Sequence, residues 1–125
     1  TDLVRLVKAA YEHEVIREYS VSEELALPVG KRSVRFGNTN RLTANPDWEI
    51  GLQKTGYISA AGRCLVMQSV IEGKRVVMVL LDSVGKYSRL ADAQRIRDWL
   101  ETSGALTKAP ARSAESSAGD AARPI

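Results

Sequence analysis

The chain has 125 residues, 44% of them hydrophobic and 26% charged, with a formal net charge of +3. That length and balance fit one soluble globular domain with a core of its own and exclude a disordered polyelectrolyte. The Lys and Arg residues are scattered, so no nucleic-acid footprint is expected; a single Cys and a single His exclude an internal disulfide and a zinc site; and no apolar run reaches the roughly 18 residues of a membrane span.

In chain order, Leu3, Leu6, Val7 and Ala10 recur at helical spacing, which predicts an amphipathic helix from Thr1 to about His13. Thr1 is placed as its N-cap, with Asp2 favourable in the first turn. The chain begins directly on this helix start and not on Met, so it reads as a piece of a longer protein. A short helix or turn follows over Glu14 to Glu18. From Tyr19 to Phe36 the pattern is mixed, with Leu27-Pro28-Val29-Gly30-Lys31-Arg32 as a turn between short strands. Gly37 to Asn40 and Thr43 to Asp47 are loops, in which Asn38 and Asn40 are expected to bond to backbone.

The second half has a plainer pattern. Strands are expected over Ile50–Thr55, Cys64–Ile71 and Arg75–Leu81. The reverse turn Glu72-Gly73-Lys74 makes the last two an antiparallel hairpin. Val76, Val77, Val79, Leu80 and Leu81 predict a strand buried on both faces. Leu90, Ala93, Ile96 and Leu100 predict a helix over Ser88–Thr102, with Trp99 widening its apolar face and Gly104 as the stop. Residues 103–125, rich in Ala, Ser and Pro, read as a disordered tail. Trp48 is expected to be a packing residue, Cys64 a small core residue, and His13 a helix-end cation or simply exposed.

Lys54-Thr55-Gly56 carries the chemistry. An ammonium, a hydroxyl and a residue without a side chain follow one another on a strand, a means of holding a carboxylate beside a sheet edge. Three residues alone also fit a strand that ends in a turn with an exposed Lys. The wider context is more specific. Asn38-Thr39-Asn40-Arg41-Leu42, then Gly51-Leu52-Gln53-Lys54-Thr55-Gly56, then Ala61-Gly62-Arg63-Cys64-Leu65-Val66-Met67, and finally Leu81-Asp82-Ser83-Val84-Gly85-Lys86-Tyr87, resemble the D-Ala-D-Ala peptidase family, the low-molecular-mass penicillin-binding proteins. The likeness is greatest to the endopeptidase branch and covers about residues 1–102.

The resemblance implies an α+β fold, the C-terminal part of a penicillin-binding transpeptidase-like domain, with antiparallel strands and flanking helices. It also implies a serine peptidase that cleaves peptidoglycan stem peptides through an acyl-enzyme, binds β-lactams, works in the periplasm and uses no metal or organic cofactor. Lys54 would supply positive charge, Thr55 a hydrogen bond to the substrate carboxylate, and Gly56 room for the substrate backbone. The Tyr57 N–H would be one oxyanion-hole donor. Arg63 is a further candidate anion contact, set against a plain strand-end role.

The family's Ser-x-x-Lys and Ser-x-Asn boxes have no counterpart upstream of Lys54. Ser83-Val84-Gly85-Lys86 fits the first by spacing, but Gly85 interrupts it, so it is expected to be a strand-to-helix connector. No catalytic residue is therefore assigned in this chain, and the N-terminal part of the domain is the expected partner. A non-catalytic remnant or peptide-binding module, and a β-lactamase fragment, are the alternatives.

Overall fold

The computed structural model describes residues 1–108. Helix α1 (Asp2–Tyr11) turns Val7 inward, with Asp2 in its first turn and Lys8 in its last, charges that suit the helix dipole. Thr1 is the N-cap by position, but its hydroxyl makes no capping bond. The helix stops at Tyr11 because His13, exposed and extended at φ −97°, becomes the N-cap of α2 (Glu14–Val21). Arg17 fastens this corner, donating to the Tyr11 carbonyl and stacking 5.0 Å from the Tyr11 ring centroid.

The mixed segment forms a hairpin of β1 (Glu24–Val29) and β2 (Arg32–Gly37), closed by Gly30-Lys31 with Gly30 at φ 62°. Every residue of both strands is exposed. Leu25 faces Phe36 and Leu27 faces Val34, so the hairpin's apolar face is uncovered among the described residues. A short 3-10 helix, Arg41–Ala44, then leads into the main sheet.

That sheet has the order β3-β4-β5, wholly antiparallel, with β3 at Glu49–Ile58, β4 at Gly62–Ile71 and β5 at Lys74–Ser83. The β4–β5 turn is just Glu72-Gly73, with φ 49° and 75°, the left-handed pair a two-residue hairpin demands. Two irregularities shape the sheet. Gly51 is an extra residue in β3, between the pairs Ile50–Ser69 and Leu52–Gln68. Leu81 and Asp82 together oppose Cys64, between the pairs Arg63–Ser83 and Leu65–Leu80, so β5 carries a bulge.

The expectation of a doubly buried β5 is corrected. Only Met78 of β5 is buried, and Leu81 is 58% exposed. Among the described residues β5 is an outer strand, so one edge and part of its apolar surface are uncovered. The innermost place belongs to β4, where Leu65, Met67, Gln68, Ser69 and Ile71 are all buried.

Helix α3 (Ser88–Ser103) ends at Gly104, φ 68°, as its sequence demands. Its Ala93 and Leu100 join Leu65, Met67, Ile71, Met78, Leu42 and Trp48 in the core. Trp99 does not extend that face and stands 59% exposed, because its position falls outside the stripe set by Ala93 and Leu100. Helical structure runs past the expected boundary at 102: Ala105–Lys108 form α4, and Leu106 is buried in the core. The rest of the proposed tail lies outside the described residues.

Candidate functional site

Lys54, Thr55 and Gly56 lie inside β3, not at its end. Cross-strand pairing sets their faces. Gln53, Thr55 and Tyr57 pair with Met67, Leu65 and Arg63, and so share the side of the sheet that carries the core; Lys54 and Gly56 point to the other side. Lys54 is exposed, and its Nζ donates to the Thr55 carbonyl at 2.6 Å. Thr55 is 8% exposed, and its hydroxyl lies 2.5 Å from that of Thr39. A Cβ placed on Gly56 would meet nothing within 4 Å. The Tyr57 ring is exposed, and Arg63 lies over it, 4.6 Å from the centroid. Arg63 is half-buried and stacked, not a free strand-end side chain.

β3 is the outer strand of its sheet, so alternate backbone groups face away from β4. Gln53 N–H is one of these, since it donates to Ser20 Oγ at 3.4 Å. Pairing is continuous from Gln53 to Ile58, and the two-residue alternation therefore sends the N–H groups of Thr55 and Tyr57 out from the same edge.

Two polar clusters fix this strand. At the edge, Gln53 Nε2 donates to the Ser20 carbonyl at 2.6 Å and to Asn38 Oδ1 at 3.0 Å. Asn38 Nδ2 in turn donates to the carbonyls of Ser20 and Ser22. Asn38 Oδ1 also accepts from the Asn40 N–H, and Asn40 Oδ1 from the Leu42 N–H. The loop role expected of Asn38 and Asn40 is thus met. Gln53 and Ser20 were not foreseen, because nothing local marks two polar residues 33 apart as partners.

The second cluster is Arg89, on the first turn of α3 and only 8% exposed. Its Nη1 donates to the carbonyls of Gly56 at 3.4 Å and Cys64 at 3.2 Å, while its buried Nε has no partner among the described residues. Sequence reasoning passed it over, yet a signal exists. Arg89 shares a helical stripe with Ala93, Ile96 and Leu100, a cation on the core-facing side. Nearby, Gly62 has φ +69°, and a Cβ there would fall 2.9 Å from Asp82 Cα. Glycine is required where β4 begins against the β5 bulge.

A cavity of about 630 Å³ opens next to this strand, between the Gly37–Ala44 segment and the start of α3, with Arg41, Arg63, Lys86 and Arg89 among its walls. Ser83 and Lys86 share no helical turn. Ser83 ends β5, Gly85 has φ 85°, and α3 starts only at Ser88, so the lookalike box is a connector. Among the described residues no serine stands one helical turn ahead of a lysine. What the site offers is a strand edge with outward N–H groups, an ammonium, a hydroxyl and open room over Gly56. That set can receive an extended peptide and its carboxylate.

Comparison with known proteins agrees with this geometry. A family model described as D-alanyl-D-alanine carboxypeptidase matches residues 1–85. A D-alanyl-D-alanine endopeptidase of Pseudomonas aeruginosa is 42% identical over 112 residues, and one of Escherichia coli 40%. Each match covers 88% of this chain but 36% of the relative, so the chain spans about a third of the length of these curated relatives. A Streptomyces DD-transpeptidase mutant superposes with a TM-score of 0.60 at 26% identity, covering 70% of this chain and 36% of that one. A Mycobacterium tuberculosis D-alanyl-D-alanine carboxypeptidase has the same fold, with a TM-score of 0.62 at 20% identity over 82% of this chain and 38% of its own. The α+β class and the endopeptidase likeness expected from the sequence accord with these matches. With the family model over residues 1–85 and β3 presenting Lys54-Thr55-Gly56 at a sheet edge, the chain belongs to the D-alanyl-D-alanine carboxypeptidase family.

Proposed function

We propose that residues 1–102 are the C-terminal part of a serine-type D-Ala-D-Ala peptidase domain, and that they supply the wall against which a peptidoglycan stem peptide lies. The observation that carries this is Lys54-Thr55-Gly56 on the free edge of β3, with outward N–H groups, in a chain 42% identical to an endopeptidase. The nucleophilic serine and its lysine come from sequence outside these positions. In the complete domain the serine Oγ attacks the D-Ala carbonyl. The amide C–N bond breaks and the amine leaves with a proton. Water then releases the acyl group.

In that reaction Lys54 gives the cleft positive charge. Thr55 donates to the carboxylate beside the scissile bond, a role that leaves Thr39 as the donor in the 2.5 Å hydroxyl pair. The Tyr57 N–H meets the developing oxyanion, a contact worth about 3 kcal/mol in comparable sites. Gly56 lets the substrate backbone approach, and Arg63 holds the Tyr57 ring aside. Cell-wall peptides and β-lactams are the ligands, and the periplasm is the place of work.

The test is acylation of the full-length protein by a fluorescent penicillin. Stoichiometric labelling, lost on Lys54→Ala, supports the assignment. A full-length protein that binds stem peptides and takes no label would be a non-catalytic binding module.

A further inference from the structure

We propose that the cavity beside β3 is a second anion subsite, which takes a further carboxylate of an acidic leaving peptide. This rests on the reading of β3 as a peptide-binding wall. Four cations line the cavity: Arg41 from the 3-10 helix, Arg63 from β4, Lys86 from the connector and Arg89 from α3. Glu23 is the one acidic residue in its lining. The ion pairs of the described residues lie elsewhere, at Arg35–Glu24, Arg95–Asp92 and Arg97–Glu101, so none of the four has a carboxylate within 4.0 Å. Like charges gathered around one concave space raise its potential for anions. Arg89 adds a buried guanidinium, where the low local dielectric strengthens its pull on an anion.

The cavity is joined to the wall through two residues. Thr39 lines it and bonds to Thr55; Arg89 lines it and bonds to the Gly56 carbonyl. A peptide with one carboxylate at Thr55 therefore has a cationic space directly beyond it. About 630 Å³ falls within the range of pockets that hold drug-sized ligands, far more room than one free D-Ala would use. Tyr87 and Leu90 give the lining an apolar part suited to the aliphatic stretches of a peptide. The cavity thus selects a leaving peptide with two or more carboxylates over a single amino acid.

The experiment uses the full-length protein and two fluorescently labelled leaving peptides. One has all its carboxylates free. In the other, every carboxylate except that next to the scissile position is amidated. Anisotropy titration at low salt should show the free acid binding about 10- to 100-fold more tightly, with the ratio falling as salt rises. The double variant Arg41→Gln/Lys86→Gln should bring the ratio within about threefold. Lys86→Gln alone, at an exposed position, should lower it in part and serves if the double variant melts early. Equal binding of the two peptides by the unaltered protein, or a ratio unmoved by either variant, would overturn the proposal, as would displacement by micromolar inorganic phosphate. Penicillin labelling is scored separately. Its absence would count against the peptidase assignment, while the binding ratio would still decide the subsite.

Discussion

Gly56→Ala separates the site from the fold. The structure leaves open space where the new Cβ would lie, with nothing within 4 Å, and Gly56 does not occupy the left-handed region. The methyl group therefore strains nothing in the folded chain. Alanine also has less freedom to lose on folding, so stability should stay level or rise by about 0.4–1 kcal/mol. The proposed reaction predicts a large effect of the opposite sense. The Cβ would stand on the same face as Lys54, where the substrate backbone approaches the strand. A displacement of the peptide by about 1 Å costs roughly 100-fold in rate. In the full-length protein, acylation by a fluorescent penicillin should fall about 100-fold while the thermal midpoint holds or rises. Acylation at the unaltered rate would refute the placing of substrate over Gly56. A fall in activity together with a fall in stability would refute the claim that the space is open.

Gly62→Ala should do the reverse, since a Cβ at φ +69° would overlap Asp82. The loss, read by urea denaturation, should be about 3 kcal/mol. Arg89→Met removes the bonds to the Gly56 and Cys64 carbonyls. It should lower stability by about 1–3 kcal/mol and slow acylation by more than that loss explains, as the ratio of labelling rate to folded fraction would show. Thr39→Val leaves Thr55 without its hydroxyl partner; KM for a stem-peptide substrate should rise about tenfold, roughly one hydrogen bond. The 125-residue chain by itself should not be labelled by a fluorescent penicillin and should self-associate. The outer edge of β5 has no partner among the described residues, and Leu81 is exposed beside it. Monomeric behaviour in sedimentation would count against that edge argument, and stoichiometric labelling against the absence of a nucleophile.

The elements that local rules determine were legible. The turn residues Glu72-Gly73-Lys74 between two apolar runs specify the β4–β5 hairpin, and helical spacing with Gly104 specifies α3 and its end. β3 was read as Ile50–Thr55 and runs Glu49–Ile58, because Gly56 looks like a stop in the sequence. The strand continues through Gly56, Tyr57 and Ile58 on pairing with Cys64, Arg63 and Gly62, a tertiary cause. β5 has the composition of a central strand and lies outermost among the described residues, with one row of its backbone groups unpaired. Lys54-Thr55-Gly56 was visible as a motif. Its supports were not: Ser20 and Arg89 reach the strand from segments far away in sequence, Ser20 by way of Gln53 of the strand itself.

Those supports explain how a strand at the edge of a sheet can be a precise binding surface. An edge strand is ordinarily the loosest part of a sheet, with one row of backbone groups unpaired. Here β4 holds β3 on one side, Arg89 holds the β3–β4 pair from the core face, and Ser20 and Asn38 engage Gln53 at the outer edge. Each neutral bond contributes only about 1 kcal/mol net, so no single one secures the strand. Together they act from three directions on the five residues from Gln53 to Tyr57; beyond Gln53 the Thr55 carbonyl is held by Lys54 Nζ, and the N–H groups of Thr55 and Tyr57 have no bond across the outer edge among the described residues. Transition-state stabilisation by a backbone N–H depends on that donor being fixed before the charge develops. In the proposed reaction a set of polar residues spread over α2, the 37–44 segment and α3 would serve the Tyr57 N–H without touching it, and substitutions there should change rate before they change fold.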